Sequence, residues 1–304
     1  MIFRLHLLKL QNTIQTDRYE TSSKMNKLSI LGRVQILNCL SEGVGINAAS
    51  RMTGKSKNTI LKLLANTGAA CAAYQDQAMR GLTIKTVQVD EIWSFVGAKQ
   101  KNVRTDDDAH ADYGDCYTFT AIDPTTKLMP CWLVGTRNRQ CTFDFMEDLA
   151  GRLANRIQLT TDGFKQYPDA VDAAFRGQVD YAVLNKSYGL MAPSNEARRR
   201  YSPPEIVSTS KAIINGKPVI DQIGTSHVER ANLSMRMGMR RFTRLTNAFS
   251  KKLENHMHAV SFYFMVYNFV KIHKTIKTTP AMEAGVTDFL WNMEDIVVMA
   301  ETNA

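Results

Sequence analysis

The stretch TVQVDEIWSF, Thr86 to Phe95, alternates valine with polar residues and then sets two carboxylates, Asp90 and Glu91, into what otherwise reads as a strand. Strands disfavour Asp, and a carboxylate turned toward a core is costly unless a counter-charge such as a metal ion meets it. Two further acids are candidates to share that ion. Asp162 ends the strand-like run RIQLTTD just before Gly163, and Glu229 opens the helical run HVERANLSMRMGMRR. Adjacent strands of one sheet set Asp90 and Asp162 side by side, and a helix laid across that sheet lowers Glu229 onto the same point. Three convergent hard-oxygen groups suit two Mg²⁺ or Mn²⁺ ions about 3.5 to 4 Å apart, which activate a nucleophile and stabilise a leaving oxygen in phosphodiester chemistry.

Other acids compete for these roles. Glu91, Asp123, Asp144, Asp169, Asp172, Glu196 and Glu254 read mostly as solvated or helix-capping residues. What favours Glu229 is the basic helix attached to it. Arg236 falls seven residues on, two turns along the same face, and Arg240 four beyond that, followed by Arg241. These cations would grip phosphate beside the acids.

The elements that must position these residues follow from the hydrophobic pattern. Residues 1 to 25 carry no clear period and read as a disordered extension, with Met25 a plausible start. From Leu28 to Leu64 the pattern is helical, in three short helices split by glycine-containing turns. Within it, INAASRMTGKSKNTILKLL has the spacing of a helix-turn-helix, whose second helix would offer Lys55, Lys57, Asn58, Thr59 and Lys62 to a major groove and its phosphates; an ordinary helical bundle with solvated lysines is the alternative. This unit and a helical connector occupy residues 26–80.

A period of two from Ile84 to Phe95 opens a second domain, 81–290. Strands are expected at 115–123, 128–135, 156–162 and 180–185, with helices at 141–154 and around YPDAVDAAF. The result is a mixed α/β sheet with flanking helices, hairpin-linked strands first and helix-linked strands later. Residues 186–222, rich in Pro, Gly and Arg, read as a surface insertion. The chain is helical again from His227 to Val270, basic and then strongly apolar, and the second part is expected to cover the sheet; 291–304 reads as a tail.

The balance of 38 Lys and Arg against 29 Asp and Glu, +9 in all, favours a polyanionic partner. Five cysteines, Cys39, Cys71, Cys116, Cys131 and Cys141, form no CxxC pair and suggest neither a zinc ribbon nor a disulfide framework. Arg4, His6 and Lys9 interrupt the apolar N-terminus, and no run reaches transmembrane length, so a cytoplasmic, nucleoid-associated protein is expected. Trp93 is open between base stacking and core, Phe95 reads as core, and Lys99 and Lys101 read equally as phosphate contacts or a solvated turn. His227 lies two residues before Glu229; it would be near the metals, or simply hydrogen-bonded.

Taken together, VDEIWSFVGAKQKN, TTDGFKQY, HVERANLSMRMGMRRFTRLTNAFSKK and YNFVKIHKTIKTTPAM resemble the DDE transposases of bacterial insertion sequences, in particular the insertion sequence one type, over residues 26 to 290. The resemblance implies a ribonuclease H-like core in which Asp90, Asp162 and Glu229 hold two divalent ions. Water and then a freed 3′ hydroxyl would be the nucleophiles of strand cleavage and strand transfer. It further implies that Arg236 is the basic residue carried two turns past the Glu, and that the helix-turn-helix reads terminal inverted repeats. The chain departs from the best-known members in lacking a CxxC zinc finger before that motif. The partners expected are double-stranded DNA, as element ends and target, and further copies of the chain, at least a dimer, because two ends must be joined. A DNA-binding regulator derived from an inactive copy, and a structure-selective nuclease of the same fold, are the alternatives.

Overall fold

Ser29 and Ser56 each begin a helix in the way their side chains allow. The Ser29 hydroxyl accepts from the Gly32 backbone N–H at 3.1 Å and starts α1, Ile30–Ser41. Ser56 accepts from the Thr59 N–H at 3.1 Å and starts α3, Lys57–Ala78. Between them lies α2, Ile46–Thr53, closed at Gly54. The computed structural model describes residues 27–103, 112–189, 206–243 and 246–302. The expected N-terminal extension and the start at Met25 lie outside the described residues.

The glycine at the end of KSKNTILKLLANTG does not stop the helix. Gly68 is mid-helix in the 22-residue α3, and a Cβ there would lie 2.4 Å from the His258 carbonyl oxygen. It is the point at which α3 and a later helix, α7 (Leu253–Met265), cross at close range. The expected separate connector is therefore the second half of α3.

Among the described residues, six strands form one sheet: β1 Thr86–Val96, β2 Gly114–Ile122, β3 Trp132–Gly135, β4 Ile157–Asp162, β5 Val179–Tyr188 and β6 Ile206–Asn215, in the order β3-β2-β1-β4-β5-β6. The β1–β2 and β2–β3 pairs are antiparallel, β1–β4 and β4–β5 parallel, and β5–β6 antiparallel. Parallel neighbours need crossover helices, and α4 (Arg139–Arg152) and α5 (Tyr167–Phe175) supply them. The architecture is mixed α/β, with the hairpin-linked strands first and the helix-linked strands later, as expected from the hydrophobic pattern.

Phe119 of β2 faces α4, its ring 5.6 Å from that of Phe145. Its neighbour Thr120 points to the other face and donates to Asn232 of α6, Ser226–Gly238. Helices therefore cover both faces. The apolar helix α7, ending in a π turn at Val266–Val270, packs chiefly on α3 and reaches the sheet at its β3 edge, where Phe264 stacks on Trp132 at 4.6 Å.

Two stretches differ from expectation. In 186–222, read as insertion, β5 continues to Tyr188 and Ile206–Asn215 adds a sixth, edge strand; 190–205, including Glu196, lie outside the described residues. Nearly all of β6 is exposed on both faces, which erases the alternation that marks half-buried strands. The supposed C-terminal tail holds α9, Met293–Thr302, after the four-residue α8, Pro280–Glu283. Trp291, Ile296, Val297 and Met299 are buried, and Glu301 pairs with Arg33 of α1 at 2.6 Å. This helix packs on α1 and α3, and one hydrophobic cluster runs from Leu37 and Leu64 through the sheet to Met299.

Candidate active site

The acidic site sits where β1 and β4 part. Their paired register ends at Gln88 and Thr160. Asp90 and Asp162 each lie two residues further on, so they occupy equivalent positions on neighbouring strands. Successive strand residues point to opposite faces, yet Asp162, at the point of separation, lies within reach of both Asp90 and Glu91. One carboxylate oxygen from each of the three lies within 4.8 Å of the others.

Asp90 is held by Asn232, whose amide donates to Oδ2 at 2.9 Å. The same Asn232 accepts from the Thr120 hydroxyl at 3.1 Å, which fixes the way its amide faces. Burial, and then the charge of Asp162, push the Asp90 carboxyl up to about 6. Asp162 accepts from the Phe164 N–H at 3.0 Å. Its carboxyl is also raised, chiefly by burial, against the lowering effects of that bond, Arg137 and Lys186. A Cβ at Gly163, between them, would stand 2.7 Å from the Asn185 side-chain oxygen, so any other residue there would have to displace that side chain.

Glu91 overturns the reading of it as solvated or capping. Its side chain is only 2% exposed and accepts from Arg137 Nε at 3.1 Å. Burial, and then Asp162, push it up to about 7. The Arg137 guanidinium, 3.8 Å from Asp162 Oδ2, also lies over the Phe164 ring at 4.1 Å, so one cation spans two acids and a ring. The hydroxyl of Tyr167 is buried beneath, without a hydrogen-bond partner among the described residues, and its ionisation is opposed by burial and by Glu91, Asp162 and Asp90.

Glu229 is in the first turn of α6. It is half-exposed, is paired with Lys186 of β5, and accepts from the Thr225 hydroxyl at 2.6 Å. Its charge raises both Asp90 and Asp162. The helix is anchored by Gln88, whose side-chain oxygen accepts from the His227 N–H at 2.9 Å and takes one of the donors that every helix start leaves open. His227 itself turns to Lys127, 3.2 Å away, and is lowered by burial and by that lysine.

The remaining sequence candidates are spread over the molecule. Lys55, Lys57, Asn58 and Lys62 are exposed around the α2–α3 turn; the Thr59 hydroxyl is bonded to Ser56. Lys101 is exposed, and the Lys99 ammonium lies 5.8 Å from both the Trp93 and Phe95 rings. Those rings are half-buried with Phe249, so Phe95 is not the fully enclosed core residue expected. Arg236 is on α6, but the helix ends at Gly238 and Arg240 starts a separate 3₁₀ turn, so Arg240 and Arg241 do not continue its face. Among the other acids, Asp123 is buried and holds a turn through the Thr125 N–H, Asp144 accepts from Gln140 and Asp169 pairs with Arg139. Arg137, Lys186, Asn232 and Gln88 were missed, because each acts across the fold and none sits in a recognisable local pattern.

Carboxylates so crowded and desolvated favour a cation between them. All their donors are hard oxygens, which suits Mg²⁺ or Mn²⁺. No helix of the described residues is long and apolar enough to cross a membrane.

No family model matches the chain. No curated protein matches it either. Among solved structures it aligns with a chain of the simian T-cell lymphotropic virus intasome in complex with PP2A regulatory subunit B56 gamma, at 12% identity over 82% of this chain and 73% of that one, TM-score 0.38. It aligns with piggyBac transposase in a synaptic complex with hairpin DNA at 8% identity, over 94% and 75%, TM-score 0.36. The Mos1 strand transfer complex gives 12% identity over 84% and 83%, TM-score 0.23.

Proposed function

We propose that the chain is a divalent-metal-dependent DNA transposase, cleaving and joining strands at the ends of an insertion sequence. One observation carries this reading: Asp90 and Asp162, 72 residues apart in sequence, stand in equivalent register where two parallel strands separate, with Glu229 close enough for its charge to act on both. Asp90 and Asp162, grouped with Glu91 as oxygen donors within 4.8 Å of one another, would hold Mg²⁺ or Mn²⁺, and Glu229, outside that group and paired with Lys186, would join them on the bound ion. When bound, such ions supply Lewis-acid polarisation and an activated nucleophile.

The chain's own residues do the positioning. Asn232 orients the Asp90 carboxylate, and the Thr225 hydroxyl holds Glu229. Arg137 and Lys186 set two cations at the rim of the acids, where a scissile phosphate needs charge and donors. The exposed lysines of α2–α3 would read the terminal inverted repeats, and Lys99, Lys101 and Arg236 would steady the DNA nearer the chemistry. Two ends must be joined, so the active species is at least a dimer.

The test is cleavage of a duplex carrying the element's own end in Mg²⁺, comparing the unmodified chain with Asp162→Ala. Loss of at least about a thousandfold is expected of a residue whose absence removes the metal site. Equal activity in the two would remove Asp162 from the mechanism.

A further inference from the structure

A groove of about 1240 Å³ separates the reader helices α2 and α3 from α6, α7 and the segment joining them. Its lining includes none of Asp90, Glu91, Asp162 or Glu229, so it is distinct from the acidic site. Among the described residues the lining carries eight Lys or Arg and no Asp or Glu, in a chain whose overall ratio is 38 to 29. Arg51 and Lys57 stand on one wall, and Arg240, Arg241, Lys251 and Lys252 on the other. The floor is apolar and aromatic, with Leu64, Phe262, Tyr263 and Tyr267.

We infer that this groove binds an unpaired strand of DNA, with phosphates on the basic walls and bases against the aromatic floor. The proposal rests on the DNA-directed reading above but not on the acids. Three features select this occupant. The volume exceeds the roughly 300 to 1,000 Å³ of small-molecule sites. The bases of a duplex are stacked and paired inside it, so only an unpaired strand can lay its bases on the aromatic floor while its phosphates meet the basic walls. Basic walls with aromatic rings between them are also the chemistry by which unpaired strands are held without regard to sequence.

Arg241 adds an independent pointer. It lies along the groove with its guanidinium surrounded by protein, and it donates to the Ser250 hydroxyl at 2.8 Å. Ser250 in turn bonds His256 Nδ1 at 2.8 Å. Burial, and then the charge of Arg241, push His256 down to about 3, so the network beside the guanidinium is neutral. No carboxylate pairs with Arg241 among the described residues, and burial lowers it to about 10. A buried cation without a counter-ion is unfavourable. A backbone phosphate would supply one.

The experiment titrates the full chain, in EDTA so that no strand is cut, into a fluorescein-labelled 20-nucleotide oligothymidylate and, separately, a 20-base-pair duplex of unrelated sequence, reading anisotropy. Lys251→Glu/Lys252→Glu changes two exposed side chains, and Arg51→Glu changes the facing wall. Each is expected to weaken oligothymidylate binding at least about tenfold and to flatten its salt dependence, by roughly 0.7 in log–log slope for each phosphate that is no longer neutralised, while duplex binding changes less than about threefold. No oligothymidylate binding by the unmodified chain, no loss in either variant, or equal losses for oligothymidylate and duplex would overturn the proposal. Asp162→Ala should bind oligothymidylate normally, so a failed cleavage assay with intact strand binding rejects the catalytic reading and leaves the groove standing.

Discussion

The side-chain amide of Asn232 donates to Asp90 at 2.9 Å, and this bond, together with those that Gln88 accepts from the His227 and Val228 N–H groups, ties the helix that carries Glu229 to the strand that carries Asp90. Because Thr120 donates to the other end of the Asn232 amide, only one orientation satisfies both bonds. Asn232→Asp replaces the donor with a second carboxylate. Residues that orient metal-holding groups typically matter by 10 to 100-fold. Asn232→Asp is therefore expected to lower cleavage activity by about that factor and to raise the Mg²⁺ concentration needed for half-maximal rate. An unchanged Mg²⁺ dependence would show that Asn232 has no part in shaping the acidic site.

Arg137 is the counter-charge that Glu91 has without a metal, as Lys186 is for Glu229. It meets a nearly inaccessible Glu91 while remaining 38% exposed itself. Removing one partner of a buried pair leaves an uncompensated charge, and partial exposure of the other partner reduces that cost. Arg137→Ala is expected to destabilise the metal-free chain by about 2 kcal/mol, a fall of several degrees in melting temperature. Mg²⁺ should restore more stability to this variant than to the unmodified chain, since the ion replaces the lost cation. Equal Mg²⁺ stabilisation of the two would separate Arg137 from the acids functionally.

The pH dependence of the metal-free chain follows from Asp90, raised to about 6, and Glu91, raised to about 7. Both stand above the ordinary carboxylate range, so the folded state binds protons more tightly than the unfolded chain. Their stabilising contribution is full below about pH 4, the unfolded carboxylate range, and is lost as pH rises through 6 and 7. In EDTA the melting temperature is therefore expected to fall between pH 5 and pH 8. Saturating Mg²⁺ should flatten that fall, because the ion favours the ionised forms. Thermal melts at four pH values in each condition decide this; a rise in melting temperature from pH 5 to 8 in EDTA would contradict it.

How far the sequence reveals this site depends on the range of the interactions. Asp90 stood out because an acid interrupts a β-type run, and Asp162 because it ends one before glycine; both are local patterns. Glu91 is the neighbour of Asp90 in the same run, yet its role depends on Arg137, 46 residues away, and nothing in the local sequence joins them. Asn232 and Lys186 are silent for the same reason, acting over 142 and 43 residues. The sheet was legible where one face is buried, as in β1, and not in β6, where nearly every side chain is exposed. The last helix was passed over as a tail because its burial depends on α1 and α3 lying beneath it.

Gly68 provides a test of that same distinction. Glycine near the end of a helical pattern can read as its cap, and here it marks the crossing of α3 with α7, where a methyl group would fall 2.4 Å from His258 O, 2.6 Å from its Cβ and 2.7 Å from its Cα. Two of those three atoms are backbone, so the clash cannot be relieved by turning a side chain. In an isolated helix, Gly→Ala would stabilise by roughly 1 kcal/mol. Gly68→Ala is instead expected to destabilise by about 2 to 3 kcal/mol, since overpacking forces the two helices apart. Gly151→Ala is the control: near the end of α4 and away from the groove, its Cβ would meet only the Arg80 side chain at 3.6 Å, an ordinary contact, so the melting temperature should not fall. Because α3 lines the groove with Lys57, Asn58, Leu61 and Leu64 and crosses α7 at Gly68, the Gly68 variant should also weaken strand binding in the groove while Gly151→Ala leaves it unchanged. Anisotropy titrations at a temperature where both variants remain folded separate that effect from loss of stability, and equal affinities there would uncouple the crossing from the groove.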